Sequence, residues 1–280
     1  MHTDLPLRNS SAPADVLADV ASVGVALIDG VPGRSGLVAL AHSIGTVVPH
    51  RDSDLDGATA IEDRAHRDAA MVGFTRAPLA PHTDRSSIEN PPGLLLTVCS
   101  QEPVSGGESV IVDGQAVYDD LAQTMPSALA ALCAPRSALF GGADGYLGSV
   151  FAPGPDGVVA VRLRLDSLVR FAPAVAPHIP ALRAAIERHL VTLPVRTGAG
   201  YVLNNRRWLH GRRGFAGPRL MYRVTADPRP HTVTAGFRPE TTVTGETAVP
   251  TVLRRQEPID TTTTAEPAPL SSITAPGDHP

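Results

Sequence analysis

Three short segments carry the side chains best suited to chemistry. They are His82-Thr83-Asp84, the run NNRRWLHGRRGF over residues 204–215, and Pro218-Arg219-Leu220-Met221-Tyr222-Arg223. In an extended segment, residues i and i+2 point to the same side, so His82 and Asp84 can meet one ion. An imidazole and a carboxylate fall one protein ligand short of a facial triad. That triad holds a divalent metal by two histidines and one carboxylate and leaves the remaining positions open. Taken alone, such a tripeptide is common by chance. His210 follows a predicted strand and precedes Gly211, which permits a tight turn beside a bulky site; a lone histidine in this position is more often a structural hydrogen-bonding residue. Arg219, Met221 and Arg223 share one face of a predicted strand. Two arginines there are costly to bury unless each meets an anion, whereas on an edge strand both would be solvated.

Other polar residues stay open between roles. Asn204 and Asn205 either hydrogen-bond to ligands or substrate, or cap a turn. Arg162 and Arg164 alternate onto one face and point either into the fold or to solvent. Trp208, the sole tryptophan, shares its strand face with His210 and is expected in the core. Phe74 to Pro81 is expected to form part of a substrate wall.

Taken together, HTD, then Gly106-Gly107-Glu108-Ser109, then HGRRGF followed by RLMYR resemble the taurine dioxygenase/TfdA family. The clavaminate-synthase-like members are nearest, on account of the NNRRWLHGR element. The resemblance covers about residues 74 to 226. It implies iron(II) held by His82, Asp84 and His210, with 2-oxoglutarate and O2 as cosubstrates. It also implies that Arg219 pairs with the distal carboxylate of 2-oxoglutarate, that the Ser109 hydroxyl supports the same carboxylate, and that Arg223 contacts an anionic group of the substrate. Asn204 and Arg164 complete the expected substrate contacts. Nine residues separate His210 from Arg219, slightly short for the family, so the loop RRGFAGP should be tight, with Arg223 the alternative cosubstrate anchor. Because Asp84 is present, the resemblance implies hydroxylation or desaturation, and Arg223 as a carboxylate anchor together with the clavaminate-like branch implies a small polar, amino-acid-derived metabolite, of the kind met in secondary metabolism. Halogenating relatives lack that carboxylate. Two other classes use the same residues: a metal-dependent hydrolase or other cupin-type enzyme without an anchored oxoacid, and a non-catalytic metal-binding member of the fold.

The elements that must position these residues follow from pattern. Residues 14–30 read as a helix, then a strand (Val23 to Ile28), then a turn; residues 35–46 as a second helix; and the polar stretch 48–72 as a mobile loop with a helical patch. GLLLTVCS and SVIVDG have strand length and are separated by a Ser-Gly-Gly turn. Residues 116–134 suggest a helix broken at Pro126. Gly154-Pro155-Asp156-Gly157 marks a hairpin whose second arm is VVAVRLRL. In 178–193 apolar residues recur with helical spacing, and GYVLNN and LMYRVTA are further strands. Strands flanking a helical insertion predict a mainly β, cupin-like double-stranded β-helix (jelly roll) with helices outside. A single dioxygenase domain is expected over 1–240. Residues 241–280 are Thr/Pro-rich, lack the apolar content to offset ordering entropy, and are expected to form a flexible tail.

Bulk properties set the limits. The 280 residues carry 24 basic and 28 acidic side chains, a formal charge of −4 and a pI of about 6.2, so no nucleic-acid footprint is expected. The sequence contains no lysine, so any carboxylate anchor must be an arginine. Cys99 and Cys133 are the only cysteines, too few for a disulfide scaffold, which points to a reducing cytoplasm. The N-terminus lacks the pattern of a signal peptide, and no apolar run reaches the roughly 20 residues needed to span a bilayer. The expected partner is a small-molecule substrate, with no nucleic acid and no membrane; a homo-oligomer is compatible with this reading.

Overall fold

The apolar pattern of one strand lays out the molecule. In Leu94–Gln101, Leu94, Leu96 and Val98 point to one side, and Leu95, Thr97 and Cys99 to the other, so both faces need cover. The computed structural model describes residues 12–64 and 69–240; the expected tail over 241–280 lies outside the described residues. Ten strands frame the site: β1 (Val25–Ile28), β2 (Gly45–Val47), β3 (Thr59–Ile61), β4 (Leu79–His82), β5 (Leu94–Gln101), β6 (Ser109–Asp113), β7 (Leu190–Leu193), β8 (Gly200–Asn204), β9 (Trp208–Arg212) and β10 (Leu220–Pro228). The major sheet runs β1-β8-β5-β10-β2, with β3 also on β10, and the minor sheet runs β7-β6-β9-β4. Each of these pairings is antiparallel.

The two sheets face each other. Val25, Leu95, Tyr201 and Leu203 from the major sheet bury against Ile111, Leu193 and Trp208 from the minor one. Trp208 is the anchor: its ring is in the core, as expected, and its indole N–H donates to the Val23 carbonyl at 2.9 Å. Outside the major sheet, helices α1 (Pro13–Val23) and α2 (Gly33–Ile44) lay Val16, Val20, Leu37 and Ile44 on Leu94, Leu96, Val98 and Val224. Outside the minor sheet, α3 (Gly114–Thr124), α4 (Pro126–Cys133) and α5 (Ile179–Arg188) cover Val112 and Leu209. This is the jelly-roll core with helices on both outer faces.

Several boundaries differ from the pattern reading. The stretch 48–72 contains β3, hydrogen-bonded along β10, and a 3-10 turn at Ala69–Phe74. Arg34 of α2 pins the intervening loop through Asp54 and Asp56. The second hairpin arm ends at Val161. Arg162 then leaves the sheet and donates to the carbonyls of Ser86, Ile88 and Glu89. Helix α5 stops at Arg188, and Leu190 begins β7; helical spacing ran on by coincidence into a strand.

Candidate functional site

The site lies between the sheets, in a cavity of about 530 Å3. His82 ends β4, and His210 sits in the middle of β9 directly opposite it in the antiparallel register. Their rings lie 4.3 Å apart between centroids, tilted by 42°. His210 is therefore a strand residue, not a residue before a turn. Gly211 serves a different purpose from the one expected: a Cβ there would come within 2.4 Å of the Leu79 carbonyl oxygen. The pairing register also shifts between His210 and Arg212, a bulge of the kind that re-aims side chains next to sites.

Asp84 follows in the turn after β4 and is 5% exposed. Thr83 is tied to Leu163, backbone N–H to carbonyl at 2.8 Å, with its hydroxyl accepting from the Leu163 N–H at 3.1 Å. Asn205 then fixes the Asp84 backbone from both sides. Its Oδ1 accepts from Asp84 N–H at 2.7 Å, and its Nδ2 donates to the carbonyls of Asp84 (3.1 Å) and Pro92 (2.9 Å). Asn204, expected to contact substrate, does not line the cavity. Its amide donates to the carbonyls of Thr234 and Gly236 and accepts from Arg206 N–H, which commits both ends to backbone.

The electrostatics separate the donors. Burial pushes both imidazoles below the usual histidine range, His210 well below, and for His210 the neighbouring His82 adds to the effect. Burial acts to raise the Asp84 carboxyl, but the Arg223 guanidinium beside it is the leading opposing cause, and the carboxyl lies at about 2. The pair is thus neutral and the carboxylate charged. His82 Nδ1 lies 3.0 Å from the Ala80 carbonyl oxygen. A carbonyl only accepts, so Nδ1 carries the proton and Nε2 keeps its lone pair. Asp84 is engaged by Arg223 Nη1, at 3.3 Å to Oδ1 and 3.2 Å to Oδ2. Its Oδ2 and the Nδ1 of His210 are nonetheless buried without a hydrogen-bond partner. Among the described residues, no three His, Cys, Asp or Glu side chains are already drawn together at metal-holding geometry, which agrees with Arg223 holding the carboxylate.

On the major sheet, Tyr201, Thr97 and Arg223 form one cross-strand row, with Cys99 and Met221 in the next. Arg219, Met221 and Arg223 all line the cavity, as the alternation predicted. Arg219 is 5% exposed, has a buried Nε without a partner, and takes part in no ion pair among the described residues. Phe215 lies under its guanidinium at 5.5 Å. Gly106 and Gly107 both have positive φ, 70° and 76°, and a Cβ on Gly107 would press at 3.1 Å on the Arg219 side chain. The Gly-Gly turn thus makes room for Arg219 and delivers Ser109, buried, to the same wall. The loop between β9 and β10 is tight, as expected, with Phe215–Ala216 paired to Ser105–Gly106.

Arg164 also lines the cavity, but it closes a bidentate pair with Asp166 at 2.8 and 2.6 Å. Arg212 escaped the sequence reading although it shares the inner face of β9 with Trp208 and His210. It is 5% exposed, and its guanidinium donates to the carbonyls of Val72, Gly73, Thr75 and Ala77. Those carbonyls lead into the wall formed by Phe74 and Leu79, both on the cavity as expected.

With this geometry in place, comparisons with known proteins are informative. Residues 3–225 match the model of the taurine catabolism dioxygenase TauD, TfdA family. Gamma-butyrobetaine dioxygenase from Homo sapiens is 41% identical over 61 residues, 22% of this chain and 16% of that protein. Its counterpart from Pseudomonas sp. (strain AK-1) is 33% identical over 118 residues, 42% of this chain and 30% of that protein. The chain therefore matches less than a third of the length of these curated relatives. Among solved structures, an asparagine oxygenase in complex with Fe(II), 2S,3S-3-hydroxyasparagine and succinate aligns with a TM-score of 0.62 at 16% identity, over 76% of this chain and 77% of that one. The non-heme iron oxygenase OrfP in complex with Fe and alpha-ketoglutaric acid aligns at 0.59 and 17%, over the same shares. At such identities the likeness is one of fold.

Proposed function

From the membership of this chain in the TauD/TfdA family, we propose that it is an iron(II)- and 2-oxoglutarate-dependent dioxygenase that hydroxylates or desaturates a small polar, amino-acid-derived metabolite. The observation that carries this reading is the pairing of His82 and His210 across β4 and β9, beside a buried Asp84 and on the same cavity as an unpaired, buried Arg219. Two neutral imidazoles and one carboxylate are the donor set of the facial triad, and a buried Asp84 oxygen without a hydrogen-bond partner is a group that a cation would satisfy. The residues fit the metal by donor chemistry. His82, Asp84 and His210 would hold it, and Arg223 competes for the same carboxylate.

When bound, iron with 2-oxoglutarate supplies oxygen activation and cleavage of a substrate C–H bond, releasing succinate and CO2. The chain's own residues bind and orient. The Ala80 carbonyl fixes the tautomer of His82 so that Nε2 keeps its lone pair for a metal. Asn205 holds the Asp84 backbone so that the carboxylate enters from a set direction. Arg219 offers a planar fork to one carboxylate of 2-oxoglutarate, with Ser109 on the same wall. Arg223 stands four residues on, on the side of Asp84, to meet the substrate. Arg212 ties residues 72–77 to the cavity wall through the carbonyls of Val72, Gly73, Thr75 and Ala77. Relatives whose names specify a substrate act on gamma-butyrobetaine or asparagine, which supports an amino-acid-derived metabolite here. Among the described residues no helix is long and apolar enough to cross a membrane.

The test is an anaerobic titration of the protein with iron(II) and 2-oxoglutarate, followed in air by succinate assay against a metabolite panel. A weak visible charge-transfer band requiring both components, and lost in His82→Ala, Asp84→Ala and His210→Ala, is expected. Absence of the band in the native chain would refute the reading.

A further inference from the structure

The cavity wall is unbalanced in charge in a way that bears on what it can bind. Among the described residues, six arginines line it (Arg51, Arg85, Arg164, Arg212, Arg219 and Arg223) against three aspartates, Asp52, Asp84 and Asp166. None of the three carboxylates is free. Asp84 faces Arg223, Asp166 is held bidentately by Arg164, and Asp52 sits 3.1 Å from His50 Nδ1 and 3.6 Å from Arg51. Iron(II) and the dianion of 2-oxoglutarate cancel each other, so loading the site leaves the excess of positive charge in place.

Two arginines on this wall keep donor capacity, beside the neutral Thr97 hydroxyl, which is buried without a partner. Arg223 Nη2 is buried with no partner. Arg85, half-buried in the turn after Asp84, gives one bond to the Pro49 carbonyl at 3.2 Å. Its backbone has φ 54°, a left-handed conformation that a non-glycine residue adopts at a cost. That conformation places an arginine on the cavity wall, immediately after Asp84. Aromatic cover is thin as well. Phe74 and Tyr201 are the only phenylalanine, tyrosine or tryptophan side chains on the described wall, and Phe74 already carries Arg64 at 4.1 Å. An aromatic cage for a quaternary ammonium needs several free faces.

We propose that the substrate is a small molecule with two acidic groups and no recognised cationic group, its inner anion held by Arg223 and its outer anion by Arg85. This rests on the dioxygenase reading above and narrows its substrate class. The wall would reject gamma-butyrobetaine, arginine and other cations, since burying a positive charge among arginines with no free carboxylate among the described residues is strongly unfavourable. Carboxylate, sulfonate and phosphate share the chemistry required, and the test distinguishes them.

The experiment uses the full chain loaded anaerobically with iron(II) and 2-oxoglutarate, and follows perturbation of the charge-transfer band. The probes are N-acetyl-L-glutamate against N-acetyl-L-glutamine, L-glutamate against L-glutamine, and L-cysteate and O-phospho-L-serine against L-serine. L-Arginine and gamma-butyrobetaine are the cationic arm. The expected result is at least tenfold tighter binding of each diacid than of its neutral partner, with the advantage shrinking as salt is raised from low to about 0.5 M. The strongest acid type among carboxylate, sulfonate and phosphate identifies the outer group. Arg85→Gln should reduce the acid-over-amide ratio about tenfold and Arg85→Lys should restore part of it, with the substrate-free band reporting that both variants are folded and loaded. If Arg85→Gln fails to load, the wild-type ratios and their salt dependence decide alone. Equal binding of acids and amides, tighter binding of a cation, or no perturbation by any probe overturns the proposal while the substrate-free band still stands. Loss of that band in the wild type would instead count against the dioxygenase reading.

Discussion

Arg219 and Arg223 sit four residues apart on one strand face and stand in different chemical situations. Arg219 lies over Phe215 without a carboxylate, and Arg223 is engaged with Asp84. Lysine keeps the charge and loses the fork. Arg219→Lys should therefore weaken 2-oxoglutarate by roughly ten- to a hundredfold, the value of a charge-assisted bond pair of about 1.5–3 kcal/mol. Arg223→Lys should chiefly weaken the organic substrate. Titrating 2-oxoglutarate into iron-loaded variants checks this, and the reverse pattern would move the cosubstrate anchor to Arg223. Asn205→Ala removes three buried hydrogen bonds around Asp84 and should cost about 1–3 kcal/mol in urea melts together with a clear loss of iron affinity. Asn204→Ala should leave iron affinity near wild type. Part of this was legible in the sequence: alternation put Arg219 and Arg223 on one wall, while β4 ends at His82 and Asp84 lies in the turn beyond it. The choice between Asn204 and Asn205 was not legible, because both lie where β8 ends and the chain turns, and there parity gives no guide. Arg212 was within reach, since it continues the inner face of β9 two residues after His210.

Among the elements, the β4–β9 pair is the one on which the site depends, and it was only half visible. Leu79–His82 is four residues long and contains Pro81, so it offers no run of β-branched residues to detect. Thr59–Ile61 was hidden in the same way within a charged stretch. What holds β4 against β9 is backbone proximity, with the Leu79 carbonyl packed where a Gly211 Cβ would stand. Gly211→Ala should push the strands apart at the bulge. The cost of overpacking is about 1–3 kcal/mol, and the imidazoles should separate. The expected outcome is a lower melting temperature and loss of the charge-transfer band, whereas Gly214→Ala, whose Cβ would meet its nearest neighbour only at 3.4 Å and whose φ is not left-handed, should retain the band. A Gly211→Ala protein with a full-strength band would show that the close approach is not needed.

At the scale of the whole molecule, strands before and after a helical insertion predicted the jelly roll, because two facing sheets with helices outside is the arrangement that covers every apolar face in this pattern. Loading the site should be visible in global stability. Iron(II) at about a hundred times its dissociation constant should add about 2.7 kcal/mol, or roughly 5–10 °C in melting temperature for a domain of this size. Chelation should reverse the shift, and Asp84→Ala should abolish it; an equal shift in that variant would remove Asp84 from the metal. The cross-strand register of His82 with His210 has a temporal consequence. The two residues lie well over a hundred positions apart in the chain, so the site exists only once a long loop has closed, as do the still longer closures of β1 on β8 and β2 on β10. A nascent or partly folded chain would offer isolated histidines instead of a site, and metal capture in a refolding experiment should not precede the burial of Trp208 as read by its fluorescence, since its indole bonds the Val23 carbonyl from the far end of the domain.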